Sequence, residues 1–235
     1  LSPYLRFGEI SPKTIWHVSK DYSNPGTDHF VREVGWREFS YHLMANFPFL
    51  ANKPLRENFE QFPWRDSDED YEAWTKGMTG YPIVDAGMRE LYATGWMHNR
   101  VRMIVSSFLV KHLLIDWRKG ERWFFDTLLD GDFCSNNAGW QWVSGGGADA
   151  APYYRIFNPI LQGKKFDTGG RYVRKWVPEI ADIPNANLHA PWELSEGQLQ
   201  LFGVKLGETY PEPIVNHEFA RKRALESFDQ ITAKK

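Results

Sequence analysis

The stretch DGDFCSNNAGWQW, residues 130–142, sets two carboxylates, two adjacent amides and two indoles side by side. Asp130 and Asp132 flank Gly131 where a helix is expected to end, so both oppose the helix dipole unless a cation answers them. Arg102, on the helix before, is the natural partner. Asn136 and Asn137 donate and accept hydrogen bonds while staying neutral, which suits a ligand whose charge changes during its chemistry. Asn equally favours turns. In an extended chain Trp140 and Trp142 point to opposite sides, one toward an interior ligand and the other toward a cleft. The SGGGADAAP run that follows has little side-chain bulk and lets a backbone approach a neighbour closely. Its glycines lack the strand–GxGxxG–helix setting of a dinucleotide fold.

Two other segments carry candidate chemistry. In GWMHNRVRM, residues 95–103, Asn99, Arg102 and Met103 stand at i, i+3 and i+4 and share one helical face. Val101, Ile104, Val105, Phe108, Leu109 and His112 form an apolar stripe on the other side. Such a helix is covered on both faces, by core on one and by a ligand on the other. Arg100 points elsewhere and is placed to reach a phosphate. In REVGWREF, Glu33 and Trp36 are three apart, a stacking plane beside an acceptor that together could clamp a nucleobase. A lone pair of this kind is also what an ordinary core tryptophan produces. No His, Cys and Asp set has metal-ligand spacing, and neither a Walker loop nor a nucleophile elbow is present.

The elements that must position these residues read as helices. Ser11 and Pro12 start one. Residues 28–46 form a second, ended by Asn46 and Pro48, and 52–70 reads as a surface loop with a short turn. A capped helix lies between Gly80-Pro82 and Gly95, the striped helix follows, and another covers 119–130. Residues 131–152 and 177–217 read as long irregular stretches. Period-2 alternation is scarce, so the expected fold is all-α over a single domain, 1–235. Hydrophobic residues make up 42% and charged residues 25%, ordinary for a globular protein, whereas an aromatic share of 16% with eleven Trp is not. A net charge of −2 excludes a globally basic nucleic-acid binder and leaves room only for a local patch. Cys134 is the sole cysteine, which rules out an intrachain disulfide and fits a reducing, cytoplasmic setting. No apolar run is long enough to span a membrane. Leu1-Ser2-Pro3 reads like the interior of a longer protein.

The motifs LSPYLRFGEISP, WREF, TGYPIVDAGMREL, TGWMHNRVRM, DGDFCSNNAGWQW, RIFNP and YPEPIVNH occur in the order and spacing of the cryptochrome/photolyase family. The resemblance covers nearly the whole chain and is to class I cyclobutane pyrimidine dimer photolyases. It implies the helical FAD-binding domain of that family, without the N-terminal α/β antenna domain and its pterin or deazaflavin chromophore. It also implies light-driven DNA repair, in which excited reduced FAD lends one electron to a flipped-out pyrimidine dimer and recovers it after the ring opens. By resemblance, Asn136 stands beside the reactive flavin nitrogen. Arg102 and Asp130 form an ion pair next to the ring system, and Asp132 is a second flavin-side carboxylate. Ser2 closes a phosphate-binding motif, with Asn99 and Trp96 also on the flavin side. Trp140, Trp117 and Trp64 match an electron-carrying chain from flavin to surface. Glu33, Trp36, Asn99, Met103 and Trp142 match the dimer pocket. Arg100, Lys164, Lys165 and Arg155 are candidates for the DNA backbone. The implied partner is damaged DNA, bound by a monomer.

Three alternatives compete with repair of cyclobutane dimers. A blue-light photoreceptor of cryptochrome type would keep the flavin and the tryptophans without needing the dimer pocket. A (6-4) photoproduct photolyase relies on a pair of histidines, whereas here His98 is followed by Asn99 and then Met103. A DNA-binding domain that had lost its flavin would have no use for Asn136, Asp130 and Arg102.

Overall fold

The structure is a computed structural model that describes residues 1–22, 24–151 and 153–233. The chain is 63% helical with no sheet among the described residues, so the all-α expectation holds. Its helices are α1 (Ser2–Arg6), α2 (Pro12–Ser19), α3 (Pro25–Asn46), α4 (Asp68–Lys76), α5 (Pro82–Thr94) and α6 (Asn99–Ser107), followed by α7 (Trp117–Thr127), α8 (Phe133–Ser144), α9 (Pro159–Phe166), α10 (Arg171–Trp176), α11 (Glu196–Leu201) and α12 (His217–Thr232).

Short polar side chains open most of them. Ser11 accepts from the Thr14 amide, as its position before Pro12 predicts, and Asn24 does the same for Thr27 at the start of α3. Gly95 closes α5 at φ 68°, a left-handed conformation that glycine adopts without strain. The stripe of α6 is buried as its spacing predicts: Val101, Ile104 and Val105 join Trp74, Met88 and Leu91 in the main core. The α-helix does not run through to His112, however. It passes at Phe108 into a π-helical turn, Phe108–His112, which brings His112 Nε2 within 2.8 Å of His217 Nδ1 on α12.

The largest departure is at 131–152, where α8 replaces the expected irregular stretch. Asp132 caps it, with its side chain accepting from the Ser135 amide at 2.8 Å. Asp132 therefore lies at a helix N-terminus, where the dipole favours its charge instead of opposing it. Trp140 and Trp142 are accordingly helical, not extended. They still diverge, because two residues turn a helix by about 200°. The run 52–70 also differs: Glu57–Gln61 is a 3-10 turn, and the acidic residues from Asp68 belong to the first turn of α4. The helix expected over 119–130 is α7, shifted toward Asp116, whose side chain caps it through the Arg118 amide.

The stretch 177–217 is largely irregular, with only α11 and two short 3-10 turns inside it. What pins it is Asp85 on α5. This buried carboxylate accepts from Thr79 N (2.7 Å), Thr79 Oγ1 (2.6 Å), Gly80 N (3.0 Å) and Tyr210 Oη (2.6 Å). Asp85→Ala leaves four buried donors without an acceptor and is expected to lower unfolding free energy by about 3 kcal/mol or more. A urea midpoint equal to that of the wild type would show that this network does not hold the 177–217 segment.

Candidate active site

A cavity of about 820 Å³ opens between α3, α6 and α8, with α1 at one end and Phe124 and Leu128 of the α7 region in its wall. The size lies within the roughly 300–1,000 Å³ typical of cofactor and small-molecule sites. Asn99, Arg100, Arg102 and Met103 reach it from α6, Glu33 and Trp36 from α3, and Asn136, Trp140 and Trp142 from α8. Ser2, Asp130 and Asp132 complete the set of expected residues on its wall.

One ion pair is central. Arg102 Nη2 lies 2.9 Å from Asp130 Oδ2, and Arg102 Nε donates to the Met97 carbonyl at 2.7 Å. The second Asp130 oxygen is buried and has no hydrogen-bond partner. Buried polar groups are normally satisfied, so such an orphan points to a ligand that supplies the missing partner.

The two adjacent asparagines divide their work. Asn136 faces the cavity and uses one N–H on the Glu121 carbonyl at 2.8 Å, leaving its oxygen and second N–H free. Asn137 is nearly fully buried and structural. Its amide donates to the Leu50 carbonyl (2.9 Å) and to Glu121 Oε1 (2.8 Å), and its oxygen accepts from Gln141 Nε2 (3.0 Å). Gln141 in turn takes the Leu55 amide at 3.0 Å, so α8 is stitched to the 50–55 segment. Burial raises the Glu121 carboxyl above the usual carboxylate range, and the Asn137 hydrogen bond offsets part of that.

The aromatic walls are set differently. Trp36 is about half exposed and meets Phe39 edge-on at 5.7 Å. Trp142 is fixed by its Nε1, which donates to the Asp149 carbonyl at 3.0 Å. Trp140 is buried, and its ring lies 5.0 Å from Phe124 and 6.1 Å from Trp74. It fits there because residue 120 is glycine: a Cβ at Gly120 would stand 2.1 Å from the Trp140 ring. Trp117 is buried in α7, and Trp64 is half-buried beside Phe62, at 4.3 Å. Neither lines the cavity.

Some expected residues lie elsewhere. Trp96 is not on the cavity wall. It precedes α6 in a turn where Thr94 Oγ1 bonds both its amide and its carbonyl, and its exposed ring meets His98. Arg155 borders a separate small pocket. Lys164 and Lys165 sit in the last turn of α9, outside the cavity. Arg100 does not point away from the ligand face: in the first turn of α6 it stands on the cavity rim, its guanidinium 4.7 Å over the Phe166 ring.

Arg6, Arg37 and Tyr41 went unread in the sequence. Arg37 and Tyr41 follow Glu33 at successive four-residue steps, the spacing of one helix face, and that was the available signal. Arg37 stacks over the Tyr41 ring at 4.6 Å, and Tyr41 Oη donates to Asp132. Arg6 Nε donates to the Gly131 carbonyl at 2.7 Å. Arg6 and Arg37 both line the cavity, and Arg37 also pairs with Glu38. Burial and the Asp132 bond push the Tyr41 hydroxyl up to about 12. For Asp132, burial works upward, but the Tyr41 and Ser135 hydrogen bonds together with the Arg37 charge outweigh it and hold the carboxyl below its usual range.

Residues 30–230 match the family described as the FAD binding domain of DNA photolyase. The chain belongs to the photolyase/cryptochrome family. It is 56% identical to the deoxyribodipyrimidine photo-lyase of Agrobacterium fabrum over 98% of its own length and 49% of that protein. It is 42% identical to Cryptochrome-1 of Arabidopsis thaliana over 98% of its length and 36% of that protein. A crystal structure described as a bacterial class III photolyase from Agrobacterium tumefaciens superposes with a TM-score of 0.95 at 54% identity, covering 100% of this chain and 49% of that one. The chain thus spans about half the length of the curated photolyases it matches. The class I expectation finds no support in that structural likeness, which is to a class III protein. The cavity fits an FAD: its volume, the Arg6 and Arg37 guanidinium groups on its wall and the orphaned Asp130 oxygen suit a large polar cofactor with an anionic diphosphate. Among the described residues, no helix is long and apolar enough to cross a membrane.

A group whose folded pKa is depressed adds stability above its unfolded pKa and loses that stability as pH falls through the folded value. Asp132→Asn keeps a capping side chain while removing the charge. The stability gap between wild type and Asp132→Asn is therefore expected to be constant from pH 7 to pH 5 and to close below about pH 4. Urea midpoints across that range measure it, and a gap that widens in acid would contradict the direction assigned to Asp132.

Proposed function

We propose that this chain is the FAD- and lesion-binding part of a light-driven repair enzyme for cyclobutane pyrimidine dimers, a deoxyribodipyrimidine photo-lyase. The observation that carries this reading is one shared cavity lined both by Asn136, Arg102 and Asp130 and by Glu33, Trp36, Asn99, Met103 and Trp142. Reduced FAD, when bound, supplies the light-excited electron that opens the dimer. Every other task falls to the protein. Asp130 and Asn136 offer hydrogen-bonding groups to the flavin ring system, while Ser2, Arg6 and Arg37 hold the diphosphate end. Trp36 and Trp142 stack the two damaged bases, and Glu33 accepts a hydrogen bond from a base N–H. Base-flipping enzymes, photolyases among them, spend a few kcal/mol on extrusion. Stacking at about 1–3 kcal/mol per base is of the right size to offset it. Trp140 and Trp117 are buried and Trp64 is half-buried, which suits a route carrying electrons inward from the surface. Trp74, adjacent to Trp140, joins that aromatic group.

The unit proposed for this work is the whole of residues 1–235, acting as a monomer. The matching photolyases are about twice as long, so light harvesting by an antenna chromophore is assigned to a region outside this chain. Arg100 at the rim, with Lys164, Lys165 and Arg155 beyond it, serves the DNA backbone. A patch of that kind on a protein of net charge −2 gives binding that weakens steeply with salt. The second reading, a cryptochrome-type photoreceptor, is favoured by the 42% identity to a plant cryptochrome. A photoreduced sample given a dimer-containing oligonucleotide under blue light separates the two. Restored oligonucleotide supports repair, and flavin photochemistry without restoration supports the photoreceptor.

Trp142→Ala is expected to weaken binding to dimer-containing DNA by roughly tenfold to a hundredfold, the equivalent of one lost stacking face. The FAD-to-protein ratio should be unchanged. Equal loss of FAD and DNA binding would place Trp142 on the wrong wall.

A further inference from the structure

Tyr41 stands beside the cavity and has no task in the proposed function. It lies about two turns after Glu33 on α3, and its hydroxyl crosses to the N-cap of α8, donating to Asp132 Oδ2. The other Asp132 oxygen serves as the cap and accepts from the Ser135 amide at 2.8 Å. An ionised carboxylate offers about four acceptor sites, so about two remain, and Asp132 stands on the cavity wall. Behind the phenol lies Arg37. Its Nη2 donates to Tyr41 Oη at 3.3 Å, and its guanidinium sits 4.6 Å over the Tyr41 ring. The three side chains form a directed relay: guanidinium N–H to phenol oxygen, phenol O–H to carboxylate. Hydrogen bonds in such a chain polarise one another. Arg37 thereby strengthens the donor on Asp132, although its own ion pair is with Glu38.

Asp132 is 8% exposed, and a carboxylate so placed keeps its charge only with partners. The ionisable groups near it come from four elements. α3 supplies Arg37, Tyr41 and the paired Glu38, and α8 supplies Cys134, whose thiol is pushed up by burial and by Asp132. From α1, Arg6 bonds the neighbouring Gly131 carbonyl, and Asp130 is matched by Arg102 of α6. Tyr41 is the donor that reaches the Asp132 carboxylate from another helix. Burial works to raise that carboxyl, and the Tyr41 bond is the foremost influence holding it below its usual range, ahead of Ser135 and the Arg37 charge.

We propose that Tyr41 is a positioning residue for the cofactor, holding the Asp132 carboxylate charged and in one orientation at the cavity wall, where it accepts a hydrogen bond from an N–H or O–H of FAD. This rests on the reading that the cavity holds FAD. Without the phenol O–H, Asp132 Oδ2 loses its partner and the carboxyl takes up a proton more readily. A protonated Asp132 sets a donor of its own against the donor on FAD, so affinity falls. In the wild type the carboxyl lies below its usual range, and FAD affinity is flat from pH 8 to pH 5. In Tyr41→Phe the carboxyl rises, and affinity is lost as pH falls through its new position. Tyr41 is exposed, so the substitution removes one oxygen without opening the core.

Two readouts on the purified chain test this in the dark. The first is the carbon NMR titration of the Asp132 carboxyl in FAD-free protein, expected at higher pH in Tyr41→Phe than in the wild type. The second is the FAD dissociation constant against pH. The ratio of variant to wild type is expected to grow roughly tenfold between pH 8 and pH 5, the effect of one charge-assisted hydrogen bond. In an Asp132→Asn background, where no carboxyl titrates at that position, Tyr41→Phe should add no pH dependence. An unshifted Asp132 titration, or a ratio that is the same at every pH, would overturn the proposal and leave Tyr41 a packing residue. Failure of the FAD reading would look different: the Asp132 titration shifts as expected, while neither protein takes up FAD.

Discussion

The Arg102–Asp130 ion pair is the constraint around which the cavity is organised. Asp130 is almost fully buried, and a carboxylate in that position is tolerable only with a cation and hydrogen bonds at hand. Arg102 provides the cation, and its own Nε is anchored on the Met97 carbonyl just before α6. The pair therefore fixes the register of α6 against the 130–132 turn and, through the Asp132 cap, the start of α8. Asn136 and Trp140 follow one and two turns later on the same helix. If the pair is removed, the two helices that frame the cavity lose their shared reference point. The unmatched Asp130 oxygen shows that the arrangement is incomplete without a ligand that donates to it.

Around that centre, single helices carry side chains of more than one kind into the cavity. α8 carries polar Asn136 and aromatic Trp142 a little under two turns apart, so one rigid element brings an amide and an indole to the same cavity. α3 does the same: Glu33 and Trp36 line the cavity, and one to two turns on, Arg37 lines it as well and Tyr41 reaches Asp132. Sites placed on helices hold geometry more tightly than sites placed on loops. Asn137 and Gln141, whose buried amides bond within the protein, tie α8 to residues 50–55 and keep that geometry from drifting.

Much of this was legible in the residues. The apolar stripe of α6 was readable because 3.6-residue spacing is a direct print of a buried face. Ser11, Asn99, Arg102 and Met103 were readable for related reasons. α8 was not, because Asn, Gly and Ser favour caps and turns and its two tryptophans suggested alternation. Tertiary packing against α3 and α7, together with the Asp132 cap, overrode that propensity. The same error put Asp132 at a helix C-terminus and reversed the sign of its interaction with the dipole. The separate duties of Asn136 and Asn137 were invisible, since adjacent identical residues differ only in which way the helix turns them. Trp96 illustrates the opposite failure: it sits in a motif whose neighbours face the cavity, but it precedes the helix and is turned outward by Thr94.

The most direct measurement is the FAD released per chain on denaturation, compared between wild type and Asp130→Asn. The substitution keeps the shape of the side chain and an oxygen for Arg102, but sets an N–H donor where an unpaired acceptor stood. Near-stoichiometric FAD in the wild type, with retention reduced at least tenfold in a variant whose circular dichroism is unchanged, is the predicted result. A wild type that never holds FAD, or a variant that keeps it equally well, would contradict the assignment of this cavity.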